Sequence, residues 1–308
     1  MTASAQDQEK IPARLFVACR LLDLDRHMTT CEALIVDADA PEALHDYRVA
    51  IRKVRAMLAQ MDQIMPEPQL SRCRRGFAEL MKRTCLLRDL QVSSTAPCFA
   101  SPAVSSDTTN TTGLLQQAIS QQQRKAYLSL RRYLLSARLR RFRAEWLSCL
   151  QQMQVTDRPA DRADDPVSVV ARKSIRHAYQ ITVRQAHKAG KRMSGASLHR
   201  LRKQCKDLRY VLEMYSDLFE GQAVTDLGHA LKRVQGKLGK VQDLQVLYLI
   251  LRAVAKAQED KLDRQQHKFI KRLLKHIRLG KRELKAQAAR LVRKYPQRSA
   301  GYIATLIG

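Results

Sequence analysis

Glycine and aromatic residues are scarce in this 308-residue chain. It has 11 Gly, and only 5% of its side chains are Phe, Trp or Tyr. β-branched runs are also rare, while Leu, Ala, Arg, Lys and Gln, all strong helix formers, dominate. That balance excludes turn-rich all-β architectures and points to an all-α fold. Seven cysteines are present, none in a CxxC pair and at irregular spacing. This pattern gives neither a disulfide framework nor a zinc site, and the expectation is a reducing, cytoplasmic compartment. MTASAQDQEK at the start has no apolar core of the signal-peptide kind. No apolar run approaches 18 residues, and Arg252 breaks the most apolar stretch, VLYLILRAVA (246–255), so no transmembrane span is expected.

Enzyme signatures are missing too. There is no GxxxxGK[ST], no GxGxxG after a strand and no GxSxG. Nor is there an ExExK or a pair of carboxylates on one helix face. Without a recognisable acid, base or nucleophile, the expectation is a non-catalytic protein with no cofactor and no bound metal.

Acidic residues are few relative to basic ones. The 56 Lys and Arg stand against 29 Asp and Glu, a formal net charge of +27. Residues 1–154 account for 22 cations and 15 acids and residues 155–308 for 34 and 14, or +7 and +20. An excess of this size makes a folded chain repel itself, and a polyanionic partner relieves the repulsion. With 45% apolar residues the chain has enough material for real cores, so the charge sits on a folded scaffold.

Helical periodicity and breakers divide the chain. Residues 1–11 read as a disordered N-terminus. A first helical half spans 12–155, with helices near 12–36, from Pro41 to before MPEP, 69–89, 114–136 and 138–153. The Ser/Thr/Pro-rich stretch 93–113 reads as a flexible loop, and TDRPADRADDP (156–166) as a linker. A second half spans 167–295, with helices near 167–189, 198–219, 224–240, 243–258, 261–279 and 281–295. Gly221 is placed to cap the 198–219 helix. Residues 296–308 read as a tail.

The informative feature is a repeat. LHDYRVAIRKVRAML (44–58) returns as LHRLRKQCKDLRYVL (198–212), and LLRDLQV (86–92) as KVQDLQV (240–246), both at an offset of 154 residues. His45 to Asp89 and His199 to Asp243 are therefore ungapped and equal in length, which predicts two similar bundles related by a pseudo-twofold. At about 100° per residue, His45, Arg48, Arg52 and Arg55 fall within an arc of roughly 80°, opposite Val54, Met57 and Leu58. His199, Arg202, Lys206 and Arg209 do the same, with Tyr210 beside them. Lys53 and Lys203 extend the rims, and Arg233, Lys237 and Lys240 add a basic run on the next helix. Like charges at these spacings destabilise a bare helix by a few tenths of a kcal/mol per pair. Arg forks match phosphate oxygens, so a bound polyanion, whether DNA, RNA, an anionic membrane surface or inorganic polyphosphate, would offset the repulsion. Asp89 and Asp243 are the carboxylates placed to orient the stripes. The alternative role for these cations is packing against neighbouring acids. For the histidines, a phosphate contact or an interhelical hydrogen bond fits better than a metal, since neither lies in HxxxH or HExxH.

These segments resemble the two signature helices and the recurring aspartate segment of the CHAD family, the conserved histidine α-helical domain. The resemblance covers roughly residues 12–295. It implies two four-helix bundles about a pseudo-twofold, with a basic cleft between them. It also implies binding of inorganic polyphosphate and targeting to polyphosphate granules. The family's basic positions fall on His45, Arg48, Arg52, Arg55, His199, Arg202, Lys206 and Arg209. Gln242 stands where the first half has Arg88, and the first half is far less charged, so the second half is expected to supply more of the contacts. Non-specific nucleic-acid binding is the alternative function. The charge-rich helices over 261–294 could grip DNA phosphates or lie on an acidic membrane, and a third reading is a scaffold whose charge only aids solubility.

Overall fold

The computed structural model describes residues 10–97, 109–155, 163–219 and 222–307. Among them the regular secondary structure is helical, apart from an isolated antiparallel bridge between Pro12 and Pro166. In the first half α1 is Ala13–Ala38, α2 Pro41–Leu58, α3 Glu67–Arg83, α4 Cys85–Ser94, α5 Thr109–Leu134 and α6 Ala137–Val155. The second half has α7 Val167–Lys191, α8 Gly195–Met214, α9 Gln222–Ala257 and α10 Arg264–Ile307.

Local signals account for several boundaries. Pro41 opens α2 with Glu42 in its first turn, where a fixed φ and a negative charge both suit the positive helix end. Ser194 caps α8 by accepting the Ser197 amide at 3.1 Å. The chain turns from α1 into α2 through Asp39 in the left-handed region, φ 46°.

Several expectations change. The helix expected over 69–89 breaks at Thr84, giving α3 and α4. The pairs expected at 224–240 with 243–258, and at 261–279 with 281–295, are each one helix, α9 and α10. Gly280 does not interrupt α10 because it lies against α9, where a Cβ would meet Leu244 Cδ1 at 3.6 Å. The tail expected from 296 is helical through Ile307, with Pro296 inside α10. A proline in a helix interior costs on the order of 3 kcal/mol. Burial of Val292, Tyr295, Ile303 and Leu306 offsets it, and the Ser299 hydroxyl donates to the Tyr295 carbonyl at 2.7 Å. The 93–113 loop is helical at both ends, through Ser94 and from Thr109, and 98–108 lie outside the described residues, as do 1–9, 156–162 and Gly221.

The halves interlock. The main apolar core is continuous through both motif helices, joining Leu44, Ile51 and Val54 of α2 to Leu201, Cys205 and Leu208 of α8. A smaller core packs Leu90 of α4 and Ile119 of α5 against Leu247 and Leu251 of α9 and Ile270 and Ile277 of α10. The end of the linker is stitched to the start of α1. Ala13 N donates to Asp165 O, Val167 N donates to Ile11 O, and the Arg14 side chain binds Met153 O, Gln154 O and Asp164.

Between α3 and α6, Phe77 packs edge-on against Phe142 and Trp146, with ring centroids 5.3 and 4.9 Å apart. Gly76 is required there, because a Cβ at this position would overlap the Phe142 ring. Gly76→Ala is therefore expected to lower stability by about 1–3 kcal/mol through overpacking, measured by urea denaturation. An unchanged midpoint would mean that Phe142 swings out freely.

Candidate functional site

The two copies of the repeated motif lie on α2 and α8, which pack against each other. Their shared groove opens into a cavity of about 470 Å³. Its charged lining is Arg48, Arg52 and Arg55 from α2, Arg74 from α3, and Arg202, Lys203, Lys206 and Asp207 from α8. Seven cations thus face one carboxylate, with His199 at the margin.

Arg48, Arg52 and Arg74 are held by groups that leave donors over. Arg48 Nη1 donates to Thr84 Oγ1 at 2.6 Å, and Thr84 in turn donates to Met81 O at 2.9 Å. The helix break at Thr84 is what brings that hydroxyl under Arg48. Arg52 Nε donates to the Tyr210 hydroxyl at 3.1 Å, tying α2 to α8. Arg74 donates twice to the Leu58 carbonyl, at 3.1 and 2.8 Å, and once to Asp62 at 2.8 Å. Arg202 Nε is buried without a hydrogen-bond partner, and lies 3.9 Å from where a Cβ of Gly239 would stand.

Lys206 occupies the middle of this group. Among the described residues it makes no hydrogen bond and no ion pair. Burial first, and then Arg52, Arg202, Arg209 and Arg48, push its ammonium down to about 7. Burial and the neighbouring Arg52 likewise lower Arg202, although Asp243 opposes them. Asp207, the cavity's carboxylate, is raised by burial in spite of Lys203, Arg55 and Lys206. A site that holds cations this close is short of negative charge by its own construction.

The histidines are exposed and occupy matching places. His45 Nδ1 is 3.1 Å from Arg88 Nη2, and His199 Nδ1 is 3.2 Å from Gln242 Oε1, the equivalent residue 154 positions on. A guanidinium can only donate, so His45 Nδ1 is an acceptor and its proton lies on Nε2. Burial, Arg88 and Arg52 lower its pKa, which agrees with a neutral ring. Each ring ties its motif helix to the aspartate-bearing helix, one of the two roles expected for it beside a phosphate contact. No group of three or more His, Cys, Asp or Glu able to hold a metal occurs among the described residues.

Several expected site residues are placed differently. Lys53 and Arg209 share Glu213, each at 3.2 Å, and neither lines the cavity; the Arg209 contact lacks hydrogen-bond alignment. Tyr210 is buried, under the Arg209 guanidinium at 4.9 Å, and acts as the anchor of Arg52. Lys237 donates to Gln287 of α10 at 2.8 Å, while Arg233 and Lys240 are exposed on α9 outside the cavity lining. Asp89 and Asp243 lie inside α4 and α9, not at helix ends, and neither forms an ion pair within 4.0 Å among the described residues. They act at longer range: burial raises both, while Arg48 and Arg202 pull Asp89 down and Arg202 and Lys206 pull Asp243 down. Asp89 was expected to orient the first stripe; Arg48 instead donates its hydrogen bond to Thr84.

Arg74, Thr84 and Arg88 were not among the expected site residues. Arg88 had appeared only as the counterpart of Gln242. Nothing in the sequence marks Arg74 within SRCRRGF, because its contact with Leu58 depends on how α3 folds back on α2.

No helix among the described residues is long and apolar enough to cross a membrane. A comparison with curated proteins finds no match. Among solved structures, the crystal structure of the CHAD domain from the plant Ricinus communis is similar over 93% of this chain and 92% of that one, at a TM-score of 0.76 and 19% identity. The CHAD domain family matches residues 21–252, three quarters of the sequence. The chain belongs to the CHAD domain family.

Proposed function

We propose that this protein binds inorganic polyphosphate, without catalysis, in the cavity between α2 and α8. The observation that carries the reading is Lys206, unpartnered and ringed by Arg48, Arg52 and Arg202 in a cavity with a single carboxylate. A linear phosphate chain presents closely spaced oxygens and no bases. It needs spaced cationic forks and no base-stacking platform, and the aromatic residue nearest the stripe, Tyr210, is buried. The cavity's charged side chains are cations apart from Asp207, suited to holding a polyanion. In this reading the two halves are related by a pseudo-twofold, and each contributes one wall of a basic cleft. Targeting to polyphosphate granules in the cytoplasm would follow from the same affinity.

The test is direct titration with long-chain polyphosphate, duplex DNA and single-stranded RNA at matched phosphate and salt. Polyphosphate is expected to bind tightest, and Arg202→Glu/Lys206→Glu to abolish that binding. Unchanged affinity in this variant, or duplex DNA that displaces polyphosphate from the cavity across the salt range, overturns the reading.

Binding should also move a proton. Above pH 7 the free Lys206 is largely neutral, and a polyanion stabilises its charged form. Calorimetry in two buffers of different ionisation enthalpy is expected to show uptake of close to one proton per site at pH 8. At pH 6 the uptake should be nearly nil. Equal uptake at both values would place Lys206 outside the ligand's field.

A further inference from the structure

A second cationic surface lies away from the cavity. Helix α10 is 44 residues long and carries thirteen Lys and Arg against one carboxylate, Glu283. It packs on α9 and α7, whereas the cavity is lined from α2, α3, α4 and α8. Its apolar side is buried through Ile270, Ile277, Ala288, Val292 and Tyr295. Arg264, Lys268, Lys271, Lys275, Arg278 and Arg282 are all exposed. At about 100° per residue these six fall within an arc of roughly 80°, well away from the buried side. At about 1.5 Å per residue they form a straight row roughly 27 Å long. None of them forms an ion pair among the described residues.

Such a row carries an obvious cost, since the like charges repel along the whole helix and no ion pair among the described residues offsets them. The cavity explains none of it. An open face cannot enclose a flexible chain, so it gains little from one beyond the loose attraction of any cation. It suits a rigid partner of fixed, high charge density. Duplex nucleic acid is such a rod, with one phosphate per about 1.7 Å of axis and an atmosphere of counterions to release. An anionic bilayer offers charge as well, but an interfacial helix anchors through its apolar face, and that face of α10 is already in the core.

We propose that the outer face of α10 is a sequence-independent docking surface for duplex nucleic acid, separate from the cavity. The protein can then hold a phosphate polymer in the cavity and a duplex on α10 at once. This second site does not depend on what the cavity binds.

The test is duplex DNA binding by the full chain as a function of salt. If most of the six cations contact phosphates, the log–log slope should approach −5, about −0.9 per contact. Lys268→Gln/Lys271→Gln/Lys275→Gln is expected to bind at least tenfold more weakly in moderate salt, with the slope shallower by about 3. Its circular dichroism and its polyphosphate affinity should be those of the parent. The converse variant, Arg202→Gln/Lys206→Gln, should keep duplex binding, and short polyphosphate saturating the cavity should not displace the duplex. The proposal fails if the α10 variant keeps parental duplex affinity and slope. It also fails if the cavity variant loses duplex binding, which would place DNA in the cavity. Stripe-dependent binding to phosphatidylserine vesicles with no duplex binding would reassign the face to membranes and overturn it equally. Loss of duplex binding on α10 would leave the cavity reading untouched, because polyphosphate affinity is read separately.

Discussion

Replacing Lys206 by Met should make the free protein more stable and the polyanion complex weaker. The ammonium is half-buried among Arg48, Arg52, Arg202 and Arg209 and has no hydrogen bond or ion pair among the described residues. A methionine of similar reach keeps the packing and removes both the desolvation cost and the repulsion. A rise in Tm of about 2–5 °C is expected. The sign with pH follows from linkage. The folded-state value, about 7, lies below the ordinary 10.5. Below pH 7 both folded and unfolded chains carry the proton, so the parent bears its full penalty. Between 7 and 10.5 the folded chain has shed it, and the parent gains stability as pH rises. The advantage of Lys206→Met should therefore be largest near pH 6 and shrink towards pH 10, as read by thermal melts across that range. A charge-assisted contact contributes about 1.5–3 kcal/mol, so polyphosphate affinity at pH 6 should fall about 10- to 100-fold. A variant that is both less stable and equally tight would show that Lys206 is a packing residue. A gain in stability with a loss of binding is the pattern of a site that holds more cations than its own carboxylates balance.

The largest loss of stability is expected far from the cavity, at Arg143. Its guanidinium binds Asp25 at 2.9 Å and Glu32 at 2.7 Å, with all three side chains largely buried between α1 and α6. Thr29 and the Asp25 carbonyl complete its contacts, and Tyr47 of α2 donates to Glu32 at 2.6 Å. Arg143→Ala leaves two carboxylates in the core without their cation. Breaking a buried network in this way costs about 3–5 kcal/mol, or a Tm fall of about 5–8 °C in a chain of this length. Burial already raises Glu32 above its ordinary 4.5 in spite of Arg143 and Tyr47. Its contribution to stability therefore declines as pH rises from 4.5 through the folded value. Without Arg143 that value rises further, so the cost of the substitution should be smaller at pH 5 than at pH 7. Neutralising all three groups, Asp25→Asn/Glu32→Gln/Arg143→Met, should recover most of the loss. A flat pH dependence would mean that water reaches the carboxylates when Arg143 is cut back.

How much of the site was legible follows the geometry of a single helix. Azimuth on α2 and α8 placed Arg48, Arg52 and Arg55 on one side of their helix and Arg202 and Lys206 on one side of theirs, and all five line the cavity. Azimuth does not say what covers a face. Tyr210 sits beside the cations on its helix, yet α2 lies over it and turns its hydroxyl into a support for Arg52. Lys53 and Arg209 point along the same helices, but Glu213 draws both away. The repeat was legible as an equal spacing of motifs, and the paired contacts of His45 with Arg88 and His199 with Gln242 repeat it in space. The break at Thr84 has no counterpart in α9, which runs unbroken past the equivalent Leu238.

The sequence by itself determined that the chain is helical, that it carries two copies of one cationic motif, and that its charge exceeds what its own carboxylates can balance. Those properties are local or additive: propensity, periodicity and a count of charges. Only the tertiary structure decided that the two motif helices share a core and face one cavity, and that Arg74 and Thr84 arrive there from other elements. It also left Lys206 with no ion pair among the described residues and turned the α10 cations outward. The reason is that a pKa, a partner or an exposure belongs to a set of groups brought together from distant parts of the chain. Their separation is fixed by helix packing, which no single segment encodes.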